Sequence, residues 1–380
     1  MVTKVSIVKC SSYEKELVYK AVKQAIDLIG GLKIGKSSKV LIKPNVLSPH
    51  KPEEAITTHP AVIDAVCKIL KEKEINDITI GDSSGVAAAG VTKEAFKISG
   101  IEEVAKKNNA KVIYFEKPTA VKIKNPNGQV LKEVYLAKPI FDVDLVVNVP
   151  KLKTHVLTKY TGAVKNLFGC VPGGRKQFYH IVGMSEEKFS HLLLDIYQNI
   201  KPQLSIIDGI VGLEGNGPGS SGKPKKTGLI LASKDAVALD IVASKIIGFS
   251  PMDIYTNRYA IKRKLFTDYN NVEVIGEKNI SIRYEQPSTI IRKVPDFIAA
   301  IVRRIIIPRP YCNTKKCTKC ATCFKVCPVK AIEMLPYPVF NRSKCILCYC
   351  CIENCPENAI ILKKPITEKF IKFSRKILRF

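Results

Sequence analysis

Two short stretches constrain this chain more than anything else in it. CTKCATCFKVCP supplies Cys317, Cys320, Cys323 and Cys327, followed by Pro328; CILCYCCIENCP supplies Cys345, Cys348, Cys351 and Cys355, followed by Pro356. Both read C-x2-C-x2-C-x3-C-P, and 345 − 317 gives an internal repeat of 28 residues. Two-residue spacings let three thiolates wrap one face of an iron–sulfur cubane, while the fourth cysteine of each run reaches the other cluster. The expected ligands are therefore Cys317, Cys320, Cys323 and Cys355 for one [4Fe–4S] cluster, and Cys345, Cys348, Cys351 and Cys327 for a second. Each proline turns the chain away after its ligand and removes a backbone donor. A zinc ribbon needs only four cysteines in two pairs, so the doubled pattern does not fit it. Cys350, between two ligands, and Cys312, ahead of the first, are surplus to the eight. The apolar segments 331–334 and 359–362 predict the paired strands of a small α+β, bacterial-type ferredoxin module over residues 312–363.

The remaining cysteines agree with metal rather than disulfides. Of thirteen, ten lie between Cys312 and Cys355, and only Cys10, Cys67 and Cys170 lie elsewhere. Crowding of this kind, behind an N-terminus that reads MVTKVSIVKC like a first strand, points to a reducing compartment. No apolar run reaches membrane-spanning length. A cytoplasmic protein is expected. Net charge is +27, and a surface so basic suits an acidic redox partner, an anionic small molecule, nucleic acid or anionic lipid. Lysine is scattered over nearly every segment, which is also how a solubilising residue is used.

Residues 1–290 read as a separate α/β domain. Continuous apolar runs at Val5–Val8, Val40–Ile42, Ile78–Ile80, Lys111–Tyr114, Leu145–Val149, Leu204–Ile207 and Leu229–Ala232 alternate with helical patterns. The helices are expected at Glu14–Ile29, Ala61–Lys73, Val91–Ala105, Lys188–Ile200 and Ala236–Ile247. Apolar strands separated by helices predict a mostly parallel, layered sheet covered on both faces. Sites in such sheets gather where strands end, and the expected loops there are polar. They offer Lys43 and Asn45, Asp82, then Lys151, Lys153 and His155, then Lys165 and Asn166, and finally Asp208 and Glu214. His155 is the candidate acid–base residue, since imidazole exchanges protons near neutral pH. The lysines would form a positive pocket for a carboxylate or phosphate. Gly217–Lys223 spells G-x-x-x-x-G-K, but Pro224 follows and a strand, not a helix, comes next, so no P-loop is expected. Nor does G-x-G-x-x-G follow the first strand.

Between the domains, 291–311 alternates apolar and arginine residues as a linker helix would. The tail, 364–380, contains FIKFSRKILRF, a basic amphipathic segment that either packs on its own domain or touches an anionic membrane surface.

The stretches LIKPNVLSPH…TTHPAVIDAV, IGDSSG, VVNVPKLKTH…TGAVKNLFG, IDGIVGLEGNGPGSSGKP and LASKDAVALDIVA resemble those of the family called domain of unknown function 362. Many of its members resemble this chain in ending in a two-cluster ferredoxin. The resemblance implies an iron–sulfur protein whose reaction the family name leaves open. The His155 loop is also similar to one in the lactate racemase family, whose members use a nickel-bearing nucleotide cofactor. That similarity implies an acid–base role for His155, although no cysteine or lysine here can be assigned to nickel. The residues themselves name no further organic or metal cofactor. The expected function is a ferredoxin-coupled oxidoreductase that takes electrons from a ferredoxin or reductase and passes them to an anionic substrate. The alternative is a cluster-bearing binding or assembly protein for nucleic acid or a metallocofactor.

Overall fold

The computed structural model describes residues 2–85, 90–116, 120–266, 271–289 and 308–363. The α/β domain contributes twelve of the described strands: β1 (Thr3–Lys9), β2 (Val40–Pro44), β3 (Ile78–Asp82), β4 (Lys111–Tyr114), β5 (Ala120–Lys124), β6 (Glu133–Ala137), β7 (Leu145–Val149), β8 (Lys151–His155), β9 (Lys159–Thr161), β10 (Leu204–Gly215), β11 (Gly222–Ser233) and β12 (Val272–Gly276). Its helices are α1 (Lys15–Leu28), α2 (Pro60–Glu72), α3 (Val91–Ile98), α4 (Ile101–Lys107), α5 (Ala163–Asn166), α6 (Arg175–Val182), α7 (Glu186–Ile200), α8 (Ala236–Ile246) and α9 (Tyr255–Lys262).

One ten-stranded sheet runs β12-β1-β11-β10-β7-β2-β3-β4, with β8 alongside β10 and β9 alongside β8. Pairings from β10 through β7, β2 and β3 to β4 are parallel, whereas β11 is antiparallel to both β1 and β10. The sheet is thus mostly parallel, as expected, with two reversed strands, β11 and the short β9, which is antiparallel to β8. Successive strand residues face opposite sides, and the core divides accordingly. Leu41, Ile207 and Leu231 pack on the layer holding α5 to α9, while Ile42, Ile206 and Ile230 pack on the layer of α1, α2, α3 and α4. This two-sided burial explains why the strands read as unbroken apolar runs.

Three expectations change. The helix expected over Val91–Ala105 is two helices, because the chain turns through Gly100 at φ 73°, a left-handed geometry that glycine adopts without a Cβ clash. Lys151–His155, expected as a loop, is the fully buried strand β8. Its ladder partner is β10, which runs on past Ile207 to Gly215 with a register shift between Gly209 and Val211. Pro150 lacks the donor that would continue β7. Finally, β13 (Arg309–Cys312) replaces the end of the expected linker helix, because it pairs antiparallel with β16 (Ile360–Lys363). The rest of that segment, 291–307, and the tail 364–380 lie outside the described residues.

The C-terminal module is built twice over. After the first motif, α10 (Thr322–Lys325) leads to β14 (Ile332–Leu335), which pairs with β15 (Tyr337–Phe340); after the second, α11 (Cys350–Glu353) leads to β16. The two post-motif segments are strands but pair with β15 and β13, not with each other. The left-handed residues Lys319, Ala321 and Lys330 recur at Leu347, Tyr349 and Asn358, each 28 positions on. Both halves therefore wind identically.

Candidate functional site

The cysteines fall into two groups. Cys327, Cys345, Cys348 and Cys351 line one enclosed pocket with apolar walls from Val329, Ile332, Phe340 and Ile346. Cys323 has Cys355, Cys320 and Cys317 as its charged neighbours. The spacing expects these same two sets, and thiols beside apolar walls are what a cubane site requires. The Cys327 sulfur accepts a hydrogen bond from the Ala331 amide at 3.1 Å, and Cys355 accepts one from Ala359 at 3.2 Å. Donors of this kind help tune a cluster's potential. The two surplus cysteines are also buried here. Cys312 lies against Cys317, Cys323 and Cys355, and Cys350 shares a hydrogen bond with Cys348.

The module docks on the strand ends of the α/β domain. Ser220 Oγ donates to the Cys355 carbonyl at 3.1 Å, and Ser221 Oγ to Asn358 Oδ1 at 2.6 Å. At Gly219 a Cβ would lie 2.3 Å from the Glu353 carbonyl oxygen, so only glycine lets the two backbones approach this closely. Val156, directly after β8, packs among the cluster cysteines.

Between domain and module lies a small cavity of about 70 Å³, and residues of both line it. By the space one water needs, that holds several waters or one small anion. From the α/β domain come Lys43, Asn45, Asp82, Lys153, Lys165, Asn166, Lys176 and His180; from the module come Cys350, Glu353 and Asn354. Lys43, next to last in β2, pairs with Asp82 at the end of β3, 2.7 Å away and buried. At Gly169 a Cβ would fall 2.1 Å from Asp82 and 2.6 Å from Lys43, so glycine lets the chain pass over this pair. Lys153 donates to Asn45 Oδ1 at 2.7 Å and to the Ile56 carbonyl at 2.8 Å. Asn45 donates in turn to Asn166. Asp240, on α8, accepts from the Ala163 and Val164 amides at 2.6 and 2.9 Å and so holds α5, which carries Lys165 and Asn166. Lys176 is caged by the Ser83 and Ser84 carbonyls, each at 2.7 Å.

The electrostatics are those of a site short of negative charge. Four lysines face two carboxylates, Asp82 and Glu353, an excess of 4 − 2 = 2 positive charges. Burial, reinforced by neighbouring Lys165 and Lys151, holds Lys153 well below the usual lysine range, and burial pushes Lys176 down to about 8. Lys165 has no hydrogen-bond or ion-pair partner among the described residues, and burial lowers it too. Burial raises Glu353, against the pull of Lys165 and Lys153. Its Oε1, His180 Nδ1 and Asn354 Oδ1 are buried polar atoms without a hydrogen-bond partner. Native interiors leave few such atoms unpaired.

Not every expected site residue converges here. His155 stands behind the cavity, completely buried, with Nδ1 accepting from the Leu157 amide at 3.0 Å. The neutral ring therefore carries its proton on Nε2, which lies 3.4 Å from Glu353 Oε1. Lys151 and Asp208 form a separate buried pair at 2.9 Å, outside the cavity wall. Glu214 is farther off, at the end of β10, accepting from the Glu285 amide and 3.8 Å from Lys225. Lys176, His180, Glu353, Asn354 and Cys350 were not anticipated as cavity residues. Lys176 and His180 are four apart on one helix, a spacing that puts both on one face. The other three hide among the cluster ligands.

Comparison with known proteins agrees with both halves. Residues 40–245 match the family model "Domain of unknown function (DUF362)", and 313–333 and 338–361 match the 4Fe-4S binding domain. A thylakoid-associated protein of Synechocystis is 33% identical over 260 residues, covering 67% of this chain and 78% of that protein. The lactate racemase apoprotein of Thermoanaerobacterium thermosaccharolyticum superposes with a TM-score of 0.42 at 14% identity, over 65% of this chain and 56% of that one. Among the described residues no helix is long and apolar enough to cross a membrane.

Proposed function

The chain belongs to the DUF362 family and carries paired 4Fe–4S motifs, and on that premise we propose that it is an oxidoreductase delivering low-potential electrons to a small anion bound at the domain–module seam. The observation that carries this reading is one cavity lined both by Lys165, whose ammonium has no partner among the described residues, and by Cys350, the hydrogen-bonded neighbour of Cys348. Two bound clusters would supply electrons one at a time, two in all. The protein's own groups bind and orient. Lys153 and Lys165 meet the anion, with Lys176 and the Lys43–Asp82 pair around it. Asn45 and Asn166 hold Lys153 in place, and Glu353 and Asn354 offer acceptors to a hydroxyl or amine of the substrate. His155 acts through Glu353, whose Oε1 lies 3.4 Å from its Nε2, and is a positioning residue. Electrons come from a separate reductant, a ferredoxin or reductase in the cytoplasm.

The test uses the full chain purified without oxygen, with iron and sulfide near eight of each, as two cubanes require. Clusters reduced by dithionite and freed of excess reductant are mixed with small carboxylates, phosphate esters and oxyanions, and reoxidation is followed optically. One anion class reoxidises them rapidly, and Lys165→Met weakens its binding by roughly 10- to 100-fold, the effect of one charged hydrogen bond. Inert clusters together with tight, steeply salt-dependent RNA or DNA binding would instead establish the binding-protein class.

A further inference from the structure

The outer face of the module presents a second, unrelated feature. In the β13–β16 pair, Arg309 stands opposite Lys363 and Tyr311 opposite Ile361. Alternation along a strand puts all four on one side, and Tyr311 and Ile361 are 50% and 39% exposed. The opposite side is buried and carries Pro310, Cys312 and Ile360. Arg342 joins from the loop after β15, where its carbonyl accepts from Arg309 Nη1 at 3.5 Å. Together with Phe340 these residues line a pocket that contains no carboxylate among its described lining. Cys345, a ligand of the second cluster in the expected scheme, lies in the same pocket. Arg309 is close enough to bear on both Cys345 and Tyr349.

We propose that this face is the electron entry, where an acidic, soluble one-electron carrier protein docks with carboxylates against Arg309, Arg342 and Lys363 and its redox centre toward Cys345. Two features select this partner over others. The three cations have no acidic counterpart in their pocket, so a ring of carboxylates complements them. The pocket also reaches a cluster ligand, which a purely adhesive surface has no need to do. An apolar, aromatic rim around a charged centre is the composition of a transient protein interface. The step transfers one electron: the carrier is oxidised, a cluster behind Cys345 is reduced, and no atom moves. This reading does not depend on what the seam cavity binds.

The experiment is anaerobic stopped-flow reduction of the full, cluster-loaded chain by a reduced acidic two-cluster bacterial ferredoxin. The second-order rate constant is expected to fall about ten-fold or more between about 20 and about 300 mM salt, as steered association does. Arg309→Glu/Arg342→Glu is expected to be at least about ten-fold slower at low salt and nearly indifferent to salt. Its iron content and its reduction by dithionite should match the unaltered chain. Arg342→Glu/Lys363→Glu, at two exposed positions, repeats the test should the first pair fail to fold. Unaltered rates in both variants, or salt-independent reduction of the parent chain, overturn the proposal. So does a variant that keeps its ferredoxin rate but loses binding to vesicles containing phosphatidylserine, which would make the face a membrane contact. Lys165→Met leaves this rate untouched and changes only reoxidation, so the two readings fail separately.

Discussion

Replacing Lys151 with methionine removes one half of a buried ion pair and leaves the other half in place. Lys151 Nζ and Asp208 Oδ2 are 2.9 Å apart and both side chains are fully buried. Burial of this depth makes a lone charge costly: removing one partner of such a pair costs about 3–5 kcal/mol. Asp208 would keep three donors, the Tyr13 hydroxyl at 2.9 Å, the His59 amide at 2.9 Å and the Ile210 amide at 3.3 Å. That places Lys151→Met at the low end, about 3 kcal/mol. Asp208→Asn strands an ammonium whose other partner is the Tyr13 hydroxyl, 2.7 Å away. It therefore belongs at the high end, about 5 kcal/mol. For a domain of this size each kcal/mol lowers the melting temperature by roughly 2–4 °C, so Lys151→Met should melt about 6–12 °C below the parent. The double variant, which buries no uncompensated charge, should melt above Asp208→Asn alone, with a coupling of at least about 2 kcal/mol. Far-UV circular dichroism of anaerobic, cluster-loaded protein gives all four midpoints. Strictly additive losses would refute the argument, and so would a Lys151→Met chain that keeps its melting temperature but loses anion binding, since Lys151 would then belong to the site.

The other expectations are shorter. His59 stacks on Tyr13 at 3.6 Å, its Nδ1 accepts from the Ala61 amide, and burial drives its pKa down to about 4. It folds neutral while the unfolded chain takes up a proton below about 6.5, so the unfolded state binds more protons between about 6.5 and 4. Stability should therefore drop as pH is lowered from about 6.5 to about 4, and His59→Phe should remove about 1.4 kcal/mol per pH unit of that slope in urea titrations; an unchanged slope would exclude His59 as its source. Gly219→Val should loosen the module, because the first added carbon already meets the Glu353 carbonyl. Hydrogen exchange would then rise at 217–221 and 353–358 with the ten-stranded sheet unaffected, and unchanged protection would show that the docking contact gives way freely. Cys350→Ala should leave iron near eight but lower one cluster's potential, since a donor to Cys348 is lost; Cys348→Ala should instead lose about half the iron. Equal iron losses in the two variants would make Cys350 a ligand.

Both ends of the architecture could be read directly from the residues, for different reasons. The cysteine spacing is a covalent constraint, and strands buried on two faces leave continuous apolar runs such as Val40–Ile42. β8 could not be read that way. Lys-Leu-Lys-Thr-His has the composition of a solvated loop, yet all five residues are buried. What makes it a strand is distant: Asp208, Asn45 and the Ile56 carbonyl receive its two ammoniums, and β10 supplies the ladder. Lys151 and Lys153 alternate with Leu152 along this strand, but they find different partners, one in a closed ion pair and the other in the cavity. Residue type therefore predicted a positive pocket but not which lysines enter it. Glu214 failed for a related reason, because the strand expected to stop at Ile207 carries it several residues past the site.

The same division bears on why the site sits at the seam. A cavity lined only by the α/β domain would gather Lys43, Lys153, Lys165 and Lys176 around one carboxylate, Asp82. The module brings the second, Glu353, from α11, between Cys351 and Cys355. Holding the cysteines of that helix in place thus also holds the counter-charge that lets the lysines face one another. Two formal positive charges still lack a counterpart within the cavity, and an anion of matching charge would offset the burial that depresses Lys153 and Lys165. Anion binding and module docking should therefore reinforce each other. A seam disturbed at Gly219 would lose affinity for the anion even though no residue that touches it has changed, and saturating anion would restore the lost protection at 353–358.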